Sequence, residues 1–364
     1  MGTGIAPGKP EAQSLKPMLV ADFDFDLPAE LIAQEPLPNR ESSRLLVLDR
    51  HSGVMTHTTI GELPSWLKRG DLLVVNNTRV ILARLLGRRV PSGGAVECLL
   101  LRRLDEERWE ALMHPGQKLK PGDQVEFGEP PQLSVEVLER HFHGRRTIKL
   151  WADDERDVMD IIGRIGHVPL PPYIRRPDEL EDRERYQTVY ASITGSVAAP
   201  TAGLHFTPSL LQMLDARGVE RAEITLHVGY GTFKPVRSER VEEHVVDPES
   251  FAIGEAAARA INRARNEGRR IVAVGTTTVR TLEASVARGS GRVEPSTGLV
   301  DLFIYPGFEF AATGALLTNF HLPRSSLLML VSAFAGRSTV LAAYQEAIAR
   351  RYRFYSYGDA MLIV

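Results

Sequence analysis

Four short polar clusters in this sequence each follow a run of residues that favours a β-strand. Each cluster brings hydroxyl, amide, imidazole or guanidinium groups together with small residues. In a parallel sheet the carboxyl ends of the strands converge on one edge, and ligands bind there. We therefore expect four clusters to supply polar groups to one small-molecule site: Asn76-Asn77-Thr78-Arg79, His227-Val228-Gly229, Gly275-Thr276-Thr277 and Asn319-Phe320-His321.

Some of these side chains suggest particular roles. Thr276 and Thr277 begin a predicted helix, where free backbone amides and the helix dipole favour a carboxylate. Arg280, one turn into that helix, can add a charge-assisted hydrogen bond. His205 and His227 lie at junctions between loops and regular elements, where α/β proteins usually place their chemistry.

Each of these features also has a purely structural interpretation. A single histidine at a strand end more often makes a structural hydrogen bond, and threonines at a helix start often only cap it. Gly229 and Gly231 are typical of a tight turn, and Asn76-Asn77 is typical of an Asx turn. For the three histidines taken together, the converging strand ends favour the functional interpretation.

Several catalytic templates are absent from the sequence. It contains no Walker A loop, no G-x-G-x-x-G opening a helix, no H-E-x-x-H pair and no G-x-S-x-G elbow. Cys98 is the single cysteine, which excludes an internal disulfide and cysteine-based zinc or iron–sulfur sites. Because the ten histidines are also scattered, we expect no metal site.

Composition is that of a soluble globular protein of about two domains, with 364 residues, 43% hydrophobic and 25% charged. The 44 basic residues nearly balance the 46 acidic ones, so any nucleic acid would need a local basic patch. The N-terminus lacks a signal-peptide core, and the apolar run Leu327–Gly336 is too short to span a bilayer. We expect a cytoplasmic protein without a membrane segment and, since no coiled-coil seam occurs, a monomer.

The stretch Ser196–Val236 holds the clearest element signals. Thr207 is a good N-cap, Pro208 suits the first helical position and Gly218 ends the helix, after which Ala222–Val228 alternates like a strand. Similar alternation of strands and helices follows. It predicts an α/β fold, a mainly parallel sheet with helices on both faces. An aromatic stripe near the C-terminus is expected in the core: Tyr352, Phe354, Tyr355 and Tyr357.

Between Val80 and Ala152 short strands alternate with turns and no helix intervenes, which predicts an inserted small β-barrel domain. The expected division is a disordered leader over 1–20, a discontinuous α/β domain of 21–79 plus 153–364, and the barrel over 80–152. The barrel segment carries 12 basic and 10 acidic residues. That excess is too small to indicate RNA binding by itself.

The motifs PTAGLHF (200–206) and TLHVGYGTFKPV (225–236) resemble the S-adenosylmethionine:tRNA ribosyltransferase-isomerase family of queuosine biosynthesis. Further matching stretches follow in a fixed order along nearly the whole chain: Asp71–Arg79, Gly166–Arg176, Tyr186–Tyr190, Gly275–Arg280, Ile304–Gly307, Thr318–Pro323 and Tyr355–Ala360.

This resemblance implies a function. The family transfers the ribosyl part of S-adenosylmethionine to 7-aminomethyl-7-deazaguanine at the wobble position of tRNA, rearranges it, and releases adenine and methionine. The resemblance implies S-adenosylmethionine and that tRNA as partners, no cofactor beyond S-adenosylmethionine as co-substrate, and an α/β domain interrupted by a barrel. Because the sulfonium acidifies the C5′ hydrogens and then leaves as methionine, a positioned base and acid would serve.

Roles can then be assigned to residues inside the matched motifs. His205 or His227 is expected to be the base at C5′, and His321 or Asp359 the acid that protonates the departing adenine. Substrate binding is assigned to ten residues: Asn77, Thr78, Arg79, Thr201, Gly229, Gly231, Thr276, Thr277, Arg280 and Asn319. Four basic residues are the best phosphate contacts for tRNA, although such charges are usually only solvated: Lys118, Lys120, Arg175 and Arg176.

Two other functions compete with this one. A methyltransferase would also use S-adenosylmethionine, but the glycine-rich first turn of Rossmann-type methyltransferases is absent. A non-catalytic RNA-binding module would rest on the barrel, whereas the polar strand ends lie in the α/β part. Released adenine, released S-adenosylhomocysteine, or salt-sensitive binding without turnover distinguishes the three.

Overall fold

The computed structural model describes residues 17–152, 156–233 and 236–364. Residues 1–16, which make up most of the expected leader, lie outside the described residues. So do Lys234 and Pro235 of the second motif.

Regular elements cover most of the described chain. The strands are β1 (Arg44–Leu48), β2 (Met55–Thr59), β3 (Leu72–Asn76), β4 (Thr78–Val80), β5 (Arg84–Val90), β6 (Ala95–Arg103), β7 (Arg108–His114), β8 (Gln124–Phe127), β9 (Leu133–Arg140), β10 (Arg145–Ala152), β11 (Ile193–Ser196), β12 (Glu220–Leu226), β13 (Glu249–Ile253), β14 (Ile271–Val274), β15 (Ser296–Val300), β16 (Ala315–Asn319) and β17 (Ala360–Ile363). The α-helices are α1 (Leu63–Trp66), α2 (Val158–Ile165), α3 (Asp182–Arg185), α4 (Pro208–Ala216), α5 (Glu255–Asn266), α6 (Thr276–Arg288), α7 (Ser326–Ala335) and α8 (Arg337–Ala349).

The main sheet has nine strands in the order β15-β13-β12-β3-β14-β16-β17-β1-β2. Strands β12, β3, β14 and β16 are mutually parallel, and β17 is parallel to β1. The other four pairings among the described strands are antiparallel. The sheet is therefore mixed, and the prediction of a mainly parallel sheet is not confirmed. Strand–helix alternation holds only in the middle of the sheet, because β1–β2 is a hairpin around His51-Ser52-Gly53 and β13 follows β12 without an α-helix between them.

Helices cover both faces of this sheet, as the sequence predicted. In β3, Leu72 and Val74 join one apolar cluster while Leu73 and Val75 join another, so the strand is buried on both sides. Residues of α5, α6, α7 and α8 pack in the first cluster, and residues of α1 and α4 pack in the second.

The predicted barrel is present. Six antiparallel strands close in the order β10-β7-β6-β5-β8-β9 around a core of their own, in which Cys98 is buried. The short parallel pair β4/β11 lies beside the barrel, since Val80 leads into β5.

Other local predictions had mixed outcomes. Thr207 caps α4 by accepting a hydrogen bond from the Leu210 N–H at 3.0 Å, and the C-terminal aromatic stripe is buried. Helix α3 is only a single turn, and strand β15 ends at Val300. Strands β13 and β17 were not predicted.

Within the described ranges no single helix is long and apolar enough to cross a bilayer; α7 and α8 together meet the length and composition, but a bend of 114° separates them.

Candidate active site

A small cavity of about 60 Å³ lies where the parallel strands β14 and β16 end. Strand β14 leads directly into Gly275-Thr276-Thr277, and β16 ends in Thr318-Asn319 before Phe320-His321. Gly275 has φ +89°, which lets the chain turn sharply from β14 into α6. We call this space the strand-end cavity; its polar wall includes Thr201, Thr276, Thr277, Thr318, Asn319, His321, Tyr355 and Ser356.

The Asn319 side chain joins three parts of the chain beside this cavity. Its Oδ1 accepts a hydrogen bond from Thr201 Oγ1 at 2.9 Å, and its Nδ2 donates to the Tyr355 carbonyl at 3.1 Å. The same Nδ2 lies 3.2 Å from His205 Nε2. Because that imidazole nitrogen accepts, the ring proton is on Nδ1. Burial lowers the pKa of His205 to about 4, so the ring is neutral at pH 7.

Of the three histidines proposed for catalysis, His321 lines the strand-end cavity. Its Nε2 lies 2.8 Å from Thr318 Oγ1, and its backbone N–H donates to Tyr344 Oη at 3.0 Å. Burial lowers the pKa of His321 to about 3. The cavity therefore presents a neutral imidazole, fixed by Thr318 on the preceding strand β16 and by Tyr344 on α8.

His227 occupies a different place. Its Nδ1 lies 2.7 Å from Thr78 Oγ1, and burial lowers its pKa. The Gly195 backbone lies against the ring, because a Cβ there would be 2.7 Å from His227 Cε1. Within the described lining of the strand-end cavity His227 does not occur. His205 is not among the described lining residues either, but it contacts Asn319 in the cavity wall, whereas the contact of His227 is with Thr78.

The first polar cluster holds strands together. Asn77 Oδ1 accepts from Thr225 Oγ1 at 2.7 Å, and Arg79 donates to the Ala191 carbonyl at 2.8 Å. Asn77, Thr78 and Arg79 lie outside the described lining of the strand-end cavity. Their contacts attach β11 and β12 to the end of β3.

A buried ion pair joins α6 to β13. Arg280 Nη1 lies 2.6 Å from Glu249 Oε2, and its Nε donates to the Leu302 carbonyl at 2.9 Å. The other carboxylate oxygen, Glu249 Oε1, accepts from the Gly229 N–H at 2.8 Å and from Thr232 Oγ1 at 3.2 Å. Arg280, predicted to meet substrate, therefore supports the loop that carries Gly229.

That loop borders a second, much wider space of about 1140 Å³ between the barrel and the sheet. This barrel–sheet cleft is lined on one side by residues of β6, β7 and β10 and on the other by residues such as Gly231 and Leu327. Arg145 spans it, with Nη1 2.8 Å from Glu110 Oε1 and Nη2 2.7 Å from Asp247 Oδ2. A Cβ at Gly231 would lie 2.7 Å from Asp247 Oδ2, so a larger residue there would require the Asp247 side chain to shift.

Asp359 is buried away from both spaces, as far as the described lining residues show. Its oxygens accept hydrogen bonds from the Arg44 N–H at 2.9 Å, Arg44 Nε at 3.1 Å and the Arg353 N–H at 2.8 Å. These contacts attach the C-terminal segment to β1.

The four basic residues proposed for tRNA contact differ from one another. Lys118, Lys120 and Arg175 are exposed. Arg176 instead forms a two-pronged pair with Asp182, at 2.6 and 2.9 Å. Its charge is satisfied within the fold.

In the part of the chain that the structure describes, no group of three or more His, Cys, Asp or Glu side chains could hold an ion. Burial raises the pKa of the Cys98 thiol to about 12, so it stays protonated.

Several residues at these spaces were not assigned to the site from the sequence, among them Glu249 and Tyr355. Glu249 lies on β13, which was itself not predicted. Tyr355 was assigned to the core, correctly as to burial, but it also lines the strand-end cavity. A motif starting at Tyr355 was the one signal for it.

The fold and site define a class: a mixed α/β protein with a closed barrel beside the sheet and an uncharged polar cavity at its parallel strand ends. A family model described as "Queuosine biosynthesis protein" matches residues 20–363. This chain belongs to that family.

Relatives agree with this assignment. The chain is 52% identical over 347 residues to the S-adenosylmethionine:tRNA ribosyltransferase-isomerase of Desulfitobacterium hafniense, covering 95% of this chain and 100% of the relative. It is 51% identical over 356 residues to the protein of the same name from Symbiobacterium thermophilum, with the same coverage. A crystal structure of S-adenosylmethionine tRNA ribosyltransferase from Thermotoga maritima is 42% identical, covers 94% of this chain and 100% of that one, and has a TM-score of 0.53.

Proposed function

We propose that this protein is an S-adenosylmethionine:tRNA ribosyltransferase-isomerase. It transfers and isomerises the ribosyl group of S-adenosylmethionine onto 7-aminomethyl-7-deazaguanine at the tRNA wobble position and releases adenine and methionine. The observation that carries the proposal is identity of about one half, over the whole length of relatives that bear this name.

The strand-end cavity supports this chemistry because its polar side chains are fixed before a ligand arrives. Asn319 orients His205 and Thr201, and Thr318 orients His321. A neutral imidazole can accept a proton, whereas a protonated one cannot, and burial keeps both rings neutral. S-adenosylmethionine then supplies the leaving group, and these residues hold and move protons.

The proton-transfer roles remain proposals. His205 or His227 takes the C5′ proton, and His321 or Asp359 protonates adenine. Position favours His321 over Asp359, because His321 lines the cavity while Asp359 is occupied by Arg44 and Arg353. Since burial keeps the imidazole neutral, His321 must first take up a proton before it can give one to adenine. His205 lies within reach of the same network through Asn319.

Three further features belong to the proposal. The α/β domain comprises 21–79 plus 153–364 and the barrel 80–152. The enzyme works in the cytoplasm as a monomer, without a cofactor beyond S-adenosylmethionine. The exposed residues Lys118, Lys120 and Arg175 contact tRNA phosphates.

The direct test incubates the purified protein with S-adenosylmethionine and tRNA carrying 7-aminomethyl-7-deazaguanine and analyses the released small molecules. Adenine and methionine, dependent on the modified tRNA, are expected. S-adenosylhomocysteine would instead indicate a methyltransferase, and bound tRNA without any product would indicate a binding module.

Alanine substitution of His205, His227, His321 and Asp359 then assigns the roles, with adenine release and thermal unfolding measured on each variant. Loss of turnover in a variant that keeps its fold supports a catalytic role. Loss of the fold together with turnover returns that residue to a structural role.

A further inference from the structure

Helix α6 begins at the strand-end cavity without a side-chain cap. It runs for 13 residues from Thr276, its N-cap is Gly275, and its first turn contains no acidic residue. Helix α7, whose N-terminus also reaches this cavity, is capped by Ser325, whose Oγ accepts from the Leu328 N–H at 3.2 Å. The first amides of α6 therefore favour an acceptor from outside the helix.

Two hydroxyl groups in the cavity wall are also without a partner. Thr277 Oγ1 and Tyr355 Oη are buried and make no hydrogen bond to any described residue. Both residues are 5% exposed, and both line the cavity. Burial raises the pKa of Tyr355, so its phenol keeps its proton and can donate. Because unpartnered buried hydroxyls are costly, they indicate a missing partner.

Tyr355 is held in place against its backbone preference. Its φ is +72°, in the left-handed region that bulky residues rarely adopt. The Asn319 side chain holds its carbonyl at 3.1 Å, and its ring stacks on that of Tyr173 with centroids 4.5 Å apart. Such strain, maintained by surrounding contacts, is typical of ligand sites.

The character of the cavity restricts what can bind there. Its described lining contains no Asp, Glu, Lys or Arg, and His321 is neutral. A cation would face the positive end of the α6 dipole, and an apolar group would leave the donors unpaired. At about 60 Å³ the space admits a small polar group but not a nucleoside.

We propose that the strand-end cavity binds the carboxylate of the methionyl part of S-adenosylmethionine, with the first amides of α6, Thr277 Oγ1 and Tyr355 Oη as donors. This assignment rests on the proposed function. It makes Tyr355 a specificity residue that distinguishes S-adenosylmethionine from adenosyl compounds without a carboxylate.

The experiment measures binding of S-adenosylmethionine and of decarboxylated S-adenosylmethionine by calorimetry. The unmodified protein is expected to prefer S-adenosylmethionine at least tenfold. Thr277→Val and Tyr355→Phe are each expected to lower the affinity for S-adenosylmethionine about tenfold and to leave the affinity for the decarboxylated compound unchanged. Because the tyrosine hydroxyl has no partner, Tyr355→Phe should keep or raise the melting temperature of the ligand-free protein.

Thr281→Val is the matched control. Thr281 lies one turn further along α6, and its buried hydroxyl donates to the Thr277 carbonyl at 3.0 Å. The Thr281→Val substitution makes the same chemical change as Thr277→Val on the same helix, but outside the cavity. The affinities for both ligands should therefore stay within twofold of those of the unmodified protein.

The outcomes separate this proposal from the proposed function. Equal weakening of both ligands, or none, in the Thr277 and Tyr355 variants would mean that the cavity holds only water. Absence of any preference for the carboxylate in the unmodified protein would overturn the carboxylate site alone. Carboxylate preference with release of S-adenosylhomocysteine would overturn the proposed reaction and leave the site standing. No binding of S-adenosylmethionine would overturn both.

Discussion

The strand-end cavity and the barrel–sheet cleft are neighbours that share Thr232 and Leu327 in their walls, yet they are built from different interactions. The described lining of the cavity is uncharged. Among its described residues the cleft is lined by four arginines and four carboxylates, and Arg145 and Arg280 are paired within the protein. The cavity is suited to one small group bound by directional donors, whereas the cleft is suited to a large, solvated partner.

The buried ion pair between Arg280 and Glu249, which lines the cleft, should be the most sensitive of these interactions to substitution. Glu249→Gln would leave the buried guanidinium of Arg280 without a counter-ion, which typically costs about 3–5 kcal/mol. Chemical denaturation should show a loss of that order in the free energy of unfolding. The Gly229–Thr232 loop should lose order as well, because Glu249 Oε1 accepts from both residues.

A matched control is the exposed pair Arg259–Glu255 on α5, at 2.9 Å. Arg259→Ala should change stability by less than about 0.5 kcal/mol, since exposed ion pairs contribute little. Equal losses of unfolding free energy for Glu249→Gln and Arg259→Ala would show that the Arg280–Glu249 pair is solvated, and would contradict the comparison.

The neutral side of the comparison gives a pH dependence. The folded pKa of His321 is about 3, against about 6.5 when unfolded. As the pH is lowered, the unfolded chain takes up this proton before the folded protein does. The contribution of His321 to the free energy of unfolding is therefore complete above about pH 6.5. It is lost as the pH is lowered towards 3, by up to about 1.4 kcal/mol per pH unit. His321→Gln should flatten the slope of unfolding free energy between pH 6 and 4.

His51, which is exposed in the β1–β2 turn, supplies the control. His51→Gln makes the same change at an exposed position, and the slope of the His321 variant is compared with the slope of this variant. If the His321 variant also keeps the full slope, its imidazole is not held neutral by burial. His205, whose pKa is about 4, adds to the slope of both proteins between about pH 6.5 and 4, so His321 is reported by the difference between the two slopes.

The sequence allowed more of the fold than of the site to be predicted. Caps such as Thr207, turns such as His51-Ser52-Gly53 and the alternation inside the barrel are local signals, and the structure has them. The mixed sheet was missed because the direction in which β17 joins β16 and β1 is decided by packing at long sequence distance, which no local pattern encodes.

The same distinction applies to individual site residues. Strand-end position correctly brought Thr276, Asn319 and His321 to one cavity. It did not show that the side chains of Asn77 and Arg79 hydrogen-bond to neighbouring segments of the chain. Which partner such a side chain binds depends on the side of the strand end to which it points. Nor did it show the buried partner of Arg280, since Glu249 lies 31 residues away in the chain.

The next prediction concerns the binding of tRNA at the cleft rather than the stability of the protein. Phe142 lies on the barrel rim of the cleft and is 86% exposed. An exposed aromatic ring can stack on a nucleobase, which is worth about 1–3 kcal/mol. Phe142→Ala should weaken tRNA binding about tenfold and leave S-adenosylmethionine binding unchanged.

Leu180→Ala, at an exposed position outside the described cleft lining, should change neither. Loss of S-adenosylmethionine binding in the Phe142 variant would mean that cavity and cleft are not separate sites.

The smallest effect is expected where the cleft is spanned by charge. Asp247→Asn removes one of the two carboxylates that hold Arg145, and since Asp247 is 42% exposed at its side chain the unfolding free energy should fall by no more than about 1 kcal/mol. The separation of barrel and sheet should change more than the stability. Arg145 and Glu110 both lie on the barrel, so the contact from Arg145 to Asp247 is the one of the two that leaves the barrel. Small-angle scattering should therefore show a larger mean separation of barrel and sheet in the variant, and the difference from the unmodified protein should shrink as salt screens the remaining charge. Identical scattering at low and high salt would mean that the Arg145–Asp247 pair does not hold the cleft.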